Sequence, residues 1–133
     1  MASKRLVAIV DDERDITVLF HDALDMIKGI SIFTFTDPVT AFEHFKINKE
    51  HYVLIISDFR MPGLNGMELL KKMKDANPSV RTILMTAFEV NDVNFREYIK
   101  QKIINSFLQK PIKLADLHVE VVKQINIYNK TKS

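Results

Sequence analysis

The sequence predicts an α/β fold: five strand–helix units forming a doubly wound parallel sheet with helices on both faces. Three observations carry this. Apolar, β-rich runs alternate with helix-period segments five times along the 133 residues. Two of the runs, 6–10 and 53–57, are apolar along their length, as central strands buried on both faces must be. Charged residues stand directly after three runs: Asp11-Asp12, Asp58 and Lys110-Pro111. In a parallel sheet these would share the carboxyl edge.

The strands are expected at about 6–10, 31–35, 53–57, 82–85 and 106–108. The first helix, about 15–27, places Ile16, Leu19, Phe20, Ala23 and Ile27 on one stripe, with Gly29 as the stop signal beyond it. The second opens with Asp37 as N-cap and Pro38 at the first helical position, and turns Ala41, Phe42 and Phe45 inward. The third follows Asn65-Gly66, with Glu68 completing a capping box and Met67, Leu70 and Met73 facing the core, and it ends at Asn77-Pro78. The fourth is expected at about 92–102. The fifth, about 114–127, carries Leu114, Leu117, Val121 and Ile125, and a solvated tail would follow it.

A chain with 47% hydrophobic and 27% charged residues buries one sizeable core. With no linker or repeat, residues 1–133 form one domain, its core about 5–128 with a short C-terminal tail. The absence of cysteine excludes disulfides, thiolate metal sites and thiol nucleophiles. The opening apolar run is too short for a signal peptide or a membrane span, so the expected location is cytoplasmic, with no membrane contact. A net charge of +2 with dispersed lysines gives no basic patch for nucleic acid. His21, His44, His51 and His118 lack metal-ligand spacing and read as surface or helix-face residues.

Three carboxylates and one ammonium converging on a sheet edge would bind a hard divalent cation and accept a phosphoryl group. Each residue has a plainer alternative: the aspartates as helix caps, Lys110 as a loop lysine, Phe107 as a half-buried strand residue.

Four segments in order, Ile9-Val10-Asp11-Asp12-Glu13, Ser57-Asp58-Phe59-Arg60-Met61-Pro62-Gly63-Leu64-Asn65-Gly66, Met85-Thr86-Ala87 and Phe107-Leu108-Gln109-Lys110-Pro111, resemble the receiver domain of two-component response regulators. The resemblance spans the chain and implies a flavodoxin-like sheet of strand order 2-1-3-4-5. It implies Asp58 as the phosphoacceptor and a Mg2+ ion held by Asp11, Asp12, Asp58 and the Arg60 carbonyl, with Asp12 the more direct ligand. Lys110 would pair with phosphoryl oxygens, Thr86 would report on the bound phosphoryl group, and Phe107 would be the aromatic that turns inward in response. It further implies a cis Lys110-Pro111 bond.

The implied role is a phosphorylation-operated switch or phosphorelay intermediate, a signalling domain rather than an enzyme. Its donor would be a sensor histidine kinase or a histidine phosphotransfer protein. Its output would pass to a downstream protein, or to a second copy, through the face of helix 4, strand 5 and helix 5. Ile103-Ile104 replaces the family's usual Gly-Ala, which suggests a more apolar output face. Arg60 and Phe88, beside the site, would slow hydrolysis of the acyl phosphate. With no effector domain after the fifth helix, the chain reads as a stand-alone receiver.

Three rivals stand beside this reading. A haloacid-dehalogenase-like phosphatase needs an Asp-x-Asp on the first strand, where this chain has Asp11-Asp12-Glu13. A flavodoxin-like cofactor module needs glycines in that loop to cradle phosphate. A non-phosphorylated interaction module of the same fold would not need Asp58, Thr86 and Lys110 together.

Overall fold

The computed structural model describes residues 4–87 and 93–132. Five strands and five helices alternate: β1 Leu6–Val10, α1 Arg14–Leu24, β2 Ser31–Phe35, α2 Pro38–Asn48, β3 Tyr52–Asp58, α3 Gly66–Ala76, β4 Arg81–Thr86, α4 Val93–Lys100, β5 Ser106–Gln109 and α5 Leu114–Lys132. The sheet is parallel in the order β2-β1-β3-β4-β5, as expected.

Strand alternation sends neighbouring side chains to opposite faces. Val7, Ile9, Leu54, Ile56, Ile83 and Met85 pack under α1 and α5, against Phe20, Leu24, Leu117 and Val121. Ala8, Val10, Ile55 and Leu84 face the other way, against Ala41 and Phe45 of α2 and Leu70 and Met73 of α3. Burial on both sides explains why the central strands are apolar throughout.

The expected caps form. Asp37 accepts from the Thr40 amide, and Asn65 and Glu68 complete a reciprocal capping box at the start of α3.

The structure departs from expectation in three places. Helix α1 stops at Leu24, and a turn with Gly29 at φ +87° leads into β2. Its buried side runs through Thr17, Phe20 and Leu24, leaving Leu19 nearly half exposed one position off that line. Helix α5 continues to Lys132, so the expected tail is helical, with Lys130 and Lys132 beside the last carbonyls where positive charge is favourable. Ile103 and Ile104 are buried in the core and add nothing apolar to the surface, while Lys102, at φ +62°, takes the left-handed turn out of α4. His44 lies on a face of α2, as a surface or helix-face residue would, and is half-buried there: its Nδ1 lies 2.7 Å from the Tyr52 hydroxyl, and its ring packs on Phe33 and Phe35.

Candidate functional site

The carboxyl edge of the sheet gathers the charged residues. Asp58 is the last residue of β3, the most enclosed strand, and is itself buried. The chain continues from it at a fixed angle, because the Phe59 amide donates to the Met85 carbonyl of β4 and the Gly66 amide to the Phe59 carbonyl. Asp11 follows β1, fully buried, its amide bonded to the Phe35 carbonyl of β2. Its Oδ1 accepts from the Glu13 amide at 2.9 Å. Asp12, next in sequence, is exposed at the mouth of the site.

Lys110 arrives from the other side. Its amide donates to the Thr86 carbonyl at 2.8 Å, continuing the β4–β5 ladder, and Lys110-Pro111 is cis, as the family resemblance implies. Its Nζ stands 2.8 Å from Asp58 Oδ1 and 3.7 Å from Asp11 Oδ2. Thr86 is buried at the end of β4. Asp12, Glu13, Asp58, Phe59, Arg60, Thr86, Ala87 and Lys110 enclose one open cleft of about 400 Å³. Phe107, on β5, is half-buried against the core beneath α2 and α3 and does not line this cleft. Phe88 lies outside the described residues.

Electrostatically the site carries an excess of negative charge. Asp11, Asp12 and Asp58 each present an oxygen within 4.8 Å of the others, against one ammonium. Burial pushes the Asp11 carboxyl up to about 6, despite the Glu13 amide bond and the Lys110 charge; the charges of Asp58 and Asp12 push the same way. Burial alone would depress Lys110, but its hydrogen bond to Asp58 and the charges of Asp58, Asp11 and Glu13 raise it above the ordinary lysine value, so the ammonium stays charged.

Asp11 Oδ2 is buried and accepts no hydrogen bond. An orphaned carboxylate oxygen facing two further carboxylates is costly unless a cation joins them. Three hard oxygen donors with one exposed member suit Mg2+, which retains waters and takes few protein ligands. These residues fit the metal.

The receiver-domain family model, described as "Response regulator receiver domain", matches residues 7–122. This chain belongs to that family. Receiver domains are phosphoryl-accepting switches of two-component systems, signalling domains rather than conventional enzymes. They bind Mg2+ at their acidic pocket and work with histidine kinases or phosphotransfer proteins.

Among relatives, this receiver is 32% identical over 82 residues to Sporulation initiation phosphotransferase F of Bacillus subtilis (strain 168), covering 62% of this chain and 64% of that protein. It is 25% identical over 130 residues to Cyclic di-GMP phosphodiesterase response regulator RpfG of Xanthomonas campestris pv. campestris (strain 8004), covering 96% of this chain and 33% of that one. The chain thus spans less than two thirds of either relative's length. A response regulator receiver domain protein from Clostridium thermocellum superposes with a TM-score of 0.82 at 22% identity, over 96% of this chain and 98% of that one. That likeness is one of fold.

Sequence reasoning noticed Gly66 only as the neighbour of a cap. A Cβ there would overlap the Asp58 carbonyl oxygen and come within 2.9 Å of Leu84 Cδ1, so only glycine lets α3 start this close to the β3 end. A glycine in the first turn of a capped helix, where a side chain would serve the helix better, is the signal that could have revealed it. Glu13 was read only as part of a motif, yet it lines the cleft and its charge reaches Lys110.

Proposed function

We propose that Asp58 is the phosphoacceptor of a switch or relay domain loaded from a phosphohistidine. The observation that carries this is the Lys110 ammonium, 2.8 Å from Asp58 Oδ1 at the wall of an open cleft, beside a carboxylate cluster with an orphaned buried oxygen. A carboxylate oxygen of Asp58 attacks phosphorus, the bond from phosphorus to the histidine nitrogen breaks, and that nitrogen keeps the electron pair and takes a proton from water. The product is an acyl phosphate on Asp58.

Asp11, Asp12, Asp58 and the Arg60 carbonyl would hold Mg2+. The ion, when bound, neutralises charge on the transferring group. Lys110 shares that task as a compact point charge already in place. Thr86 would bond the phosphoryl group through its hydroxyl and Phe107 would turn in response, which would make them the switch pair.

A protein donor is favoured over a small one alone by a second cleft. Glu13, Ile16, Leu19, Phe20, Pro111 and Ile112 line an apolar groove of about 460 Å³ that meets the phosphorylation cleft at Lys110 and Ala87. A helix carrying the phosphohistidine would lay its apolar side there. The name of the Bacillus relative, a phosphotransferase, supports the relay form. Output would leave through α4, β5 and α5, where Val93, Ile99 and Val119 are exposed, toward a downstream protein or a second copy. No helix among the described residues is long and apolar enough to cross a membrane, and a cytoplasmic location is part of the proposal.

Phosphoramidate carries a phosphorus–nitrogen bond like that of phosphohistidine and tests the chemistry. With Mg2+ it should give a hydroxylamine-labile phosphate that maps to the peptide containing Asp58. Thr86→Ala should still be labelled but lose phosphate-dependent partner binding or self-association. Label at another residue would refute the phosphoacceptor assignment, and an unchanged response in Thr86→Ala would remove Thr86 from the switch.

A further inference from the structure

At the end of the β4–β5 pair remote from the cleft, Thr82 and Asn105 form a polar clasp. Thr82 is fully buried. Its amide donates to Asn105 Oδ1 at 2.9 Å, and its hydroxyl donates to the Ile103 carbonyl at 2.7 Å. The Asn105 amide in turn lies 3.1 Å from both the Thr82 carbonyl and the Thr82 hydroxyl oxygen. Five residues further along, the Lys110 amide closes the ladder on the Thr86 carbonyl.

Beyond its ladder with β4, strand β5 has little to hold it. It is an edge strand of four residues, of which only Leu108 is buried. A strand with so few buried side chains specifies its register weakly, and a slip of one residue exchanges its two faces. Such a slip would exchange Leu108 and Phe107, which pack on opposite faces of the sheet, and carry Lys110 away from Asp58.

We propose that Asn105 is a positioning residue of the phosphorylation site: by clasping Thr82 it fixes the register of β5 and thereby the place of the Lys110 ammonium. This rests on the reading of Asp58 as phosphoacceptor. Toward Thr82, Asn105 acts as an acceptor through Oδ1 and a donor through its backbone. An aspartate preserves every one of these bonds, whereas a leucine of similar size leaves the buried Thr82 amide without its partner.

The test compares wild type, Asn105→Asp and Asn105→Leu for phosphorylation rate with acetyl phosphate, and separately for the rise in Tm on adding Mg2+. The metal cluster sits on β1 and β3, so its Tm response should be the same in all three. Asn105→Asp should react within about twofold of wild type, and Asn105→Leu about tenfold or more slowly, since small misplacements of a reacting group have effects of that order. In a Lys110→Ala background the Asn105→Leu penalty should disappear, because both changes remove the same interaction. If Asn105→Leu does not fold, Thr82→Val, which deletes only the hydroxyl bonds, should show a smaller slowing with the same dependence on Lys110. Equal rates in wild type and Asn105→Leu, a penalty that persists without Lys110, or a parallel loss of the Mg2+ response would overturn the inference. A wild type that takes no phosphate on Asp58 would instead refute the reading beneath it.

Discussion

Strand β3 ends in Asp58 and strand β5 leads directly into Lys110, which the site brings together, yet the two strands are held in opposite ways. Strand β3 has seven residues, all buried, with a strand on either side. Strand β5 has four, pairs with β4 alone and buries only Leu108. Asp58 thus ends a strand held by apolar burial, while Lys110 follows a short edge strand with hydrogen bonds at both of its ends. Changes in β3 should therefore be felt first as lost stability, and changes around β5 first as lost chemistry.

The sharpest contrast is expected from Lys110→Ala. Removing a preorganised charge that faces the developing phosphoryl negative charge should slow phosphorylation by roughly two to three orders of magnitude. In Mg2+ stability should change little, because the carboxylate cluster can still take the ion that offsets its charge. Stopped-flow phosphorylation beside a denaturant titration reads both quantities, and a large loss of stability with intact chemistry would reverse the comparison.

On the β3 side, Ile56→Ala opens a cavity in a fully buried strand and should reduce unfolding free energy by about 3 kcal/mol. The folded fraction should still phosphorylate within a few-fold of wild type. Gly66→Ala belongs to both regimes. Its new methyl meets the backbone of Asp58 rather than a movable side chain, so a destabilisation of about 2 kcal/mol should come with slower phosphorylation. A Gly66→Ala variant with wild-type rate and stability would show that α3 can back away from Asp58 at no cost.

These two strands also mark where the sequence could and could not be read. The apolar runs and the two-sided burial of β1 and β3 were legible because a hydrophobic run bounded by turns has few other structural meanings. The cluster of Asp11, Asp12, Asp58 and Lys110 was legible because charge at strand ends is conspicuous against such runs, and the structure brings these residues together with Thr86. Phe107 falls on β5 as expected but away from the cleft. Less visible was anything decided by backbone contact: the α1 stop at Leu24, the close approach at Gly66, and the Thr82–Asn105 clasp, whose residue types are ordinary and whose pairing spans two strands. Ile103 and Ile104 misled because apolar residues after a helix can face either way, and only tertiary packing turned them inward.

The smallest expected effect is also the most specific to the metal. Asp11→Asn keeps the acceptor for the Glu13 amide while discharging a buried carboxylate. In EDTA the variant should be more stable than wild type by about 1 kcal/mol, and the stabilisation by Mg2+ seen in wild type should be largely lost. Thermal melts with and without Mg2+ read both signs, and a variant that still gains the full Mg2+ increment would place the ion elsewhere.

The central claim is that Asp58, with Lys110 and a divalent cation, forms an acyl phosphate. Intact-mass measurement of wild type and Asp58→Asn after incubation with acetyl phosphate, in Mg2+ and in EDTA, tests it directly. The account predicts one hydroxylamine-labile phosphate on wild type in Mg2+, little in EDTA, and none on Asp58→Asn. The same adduct on Asp58→Asn, or labelling of wild type that ignores the metal, would contradict it.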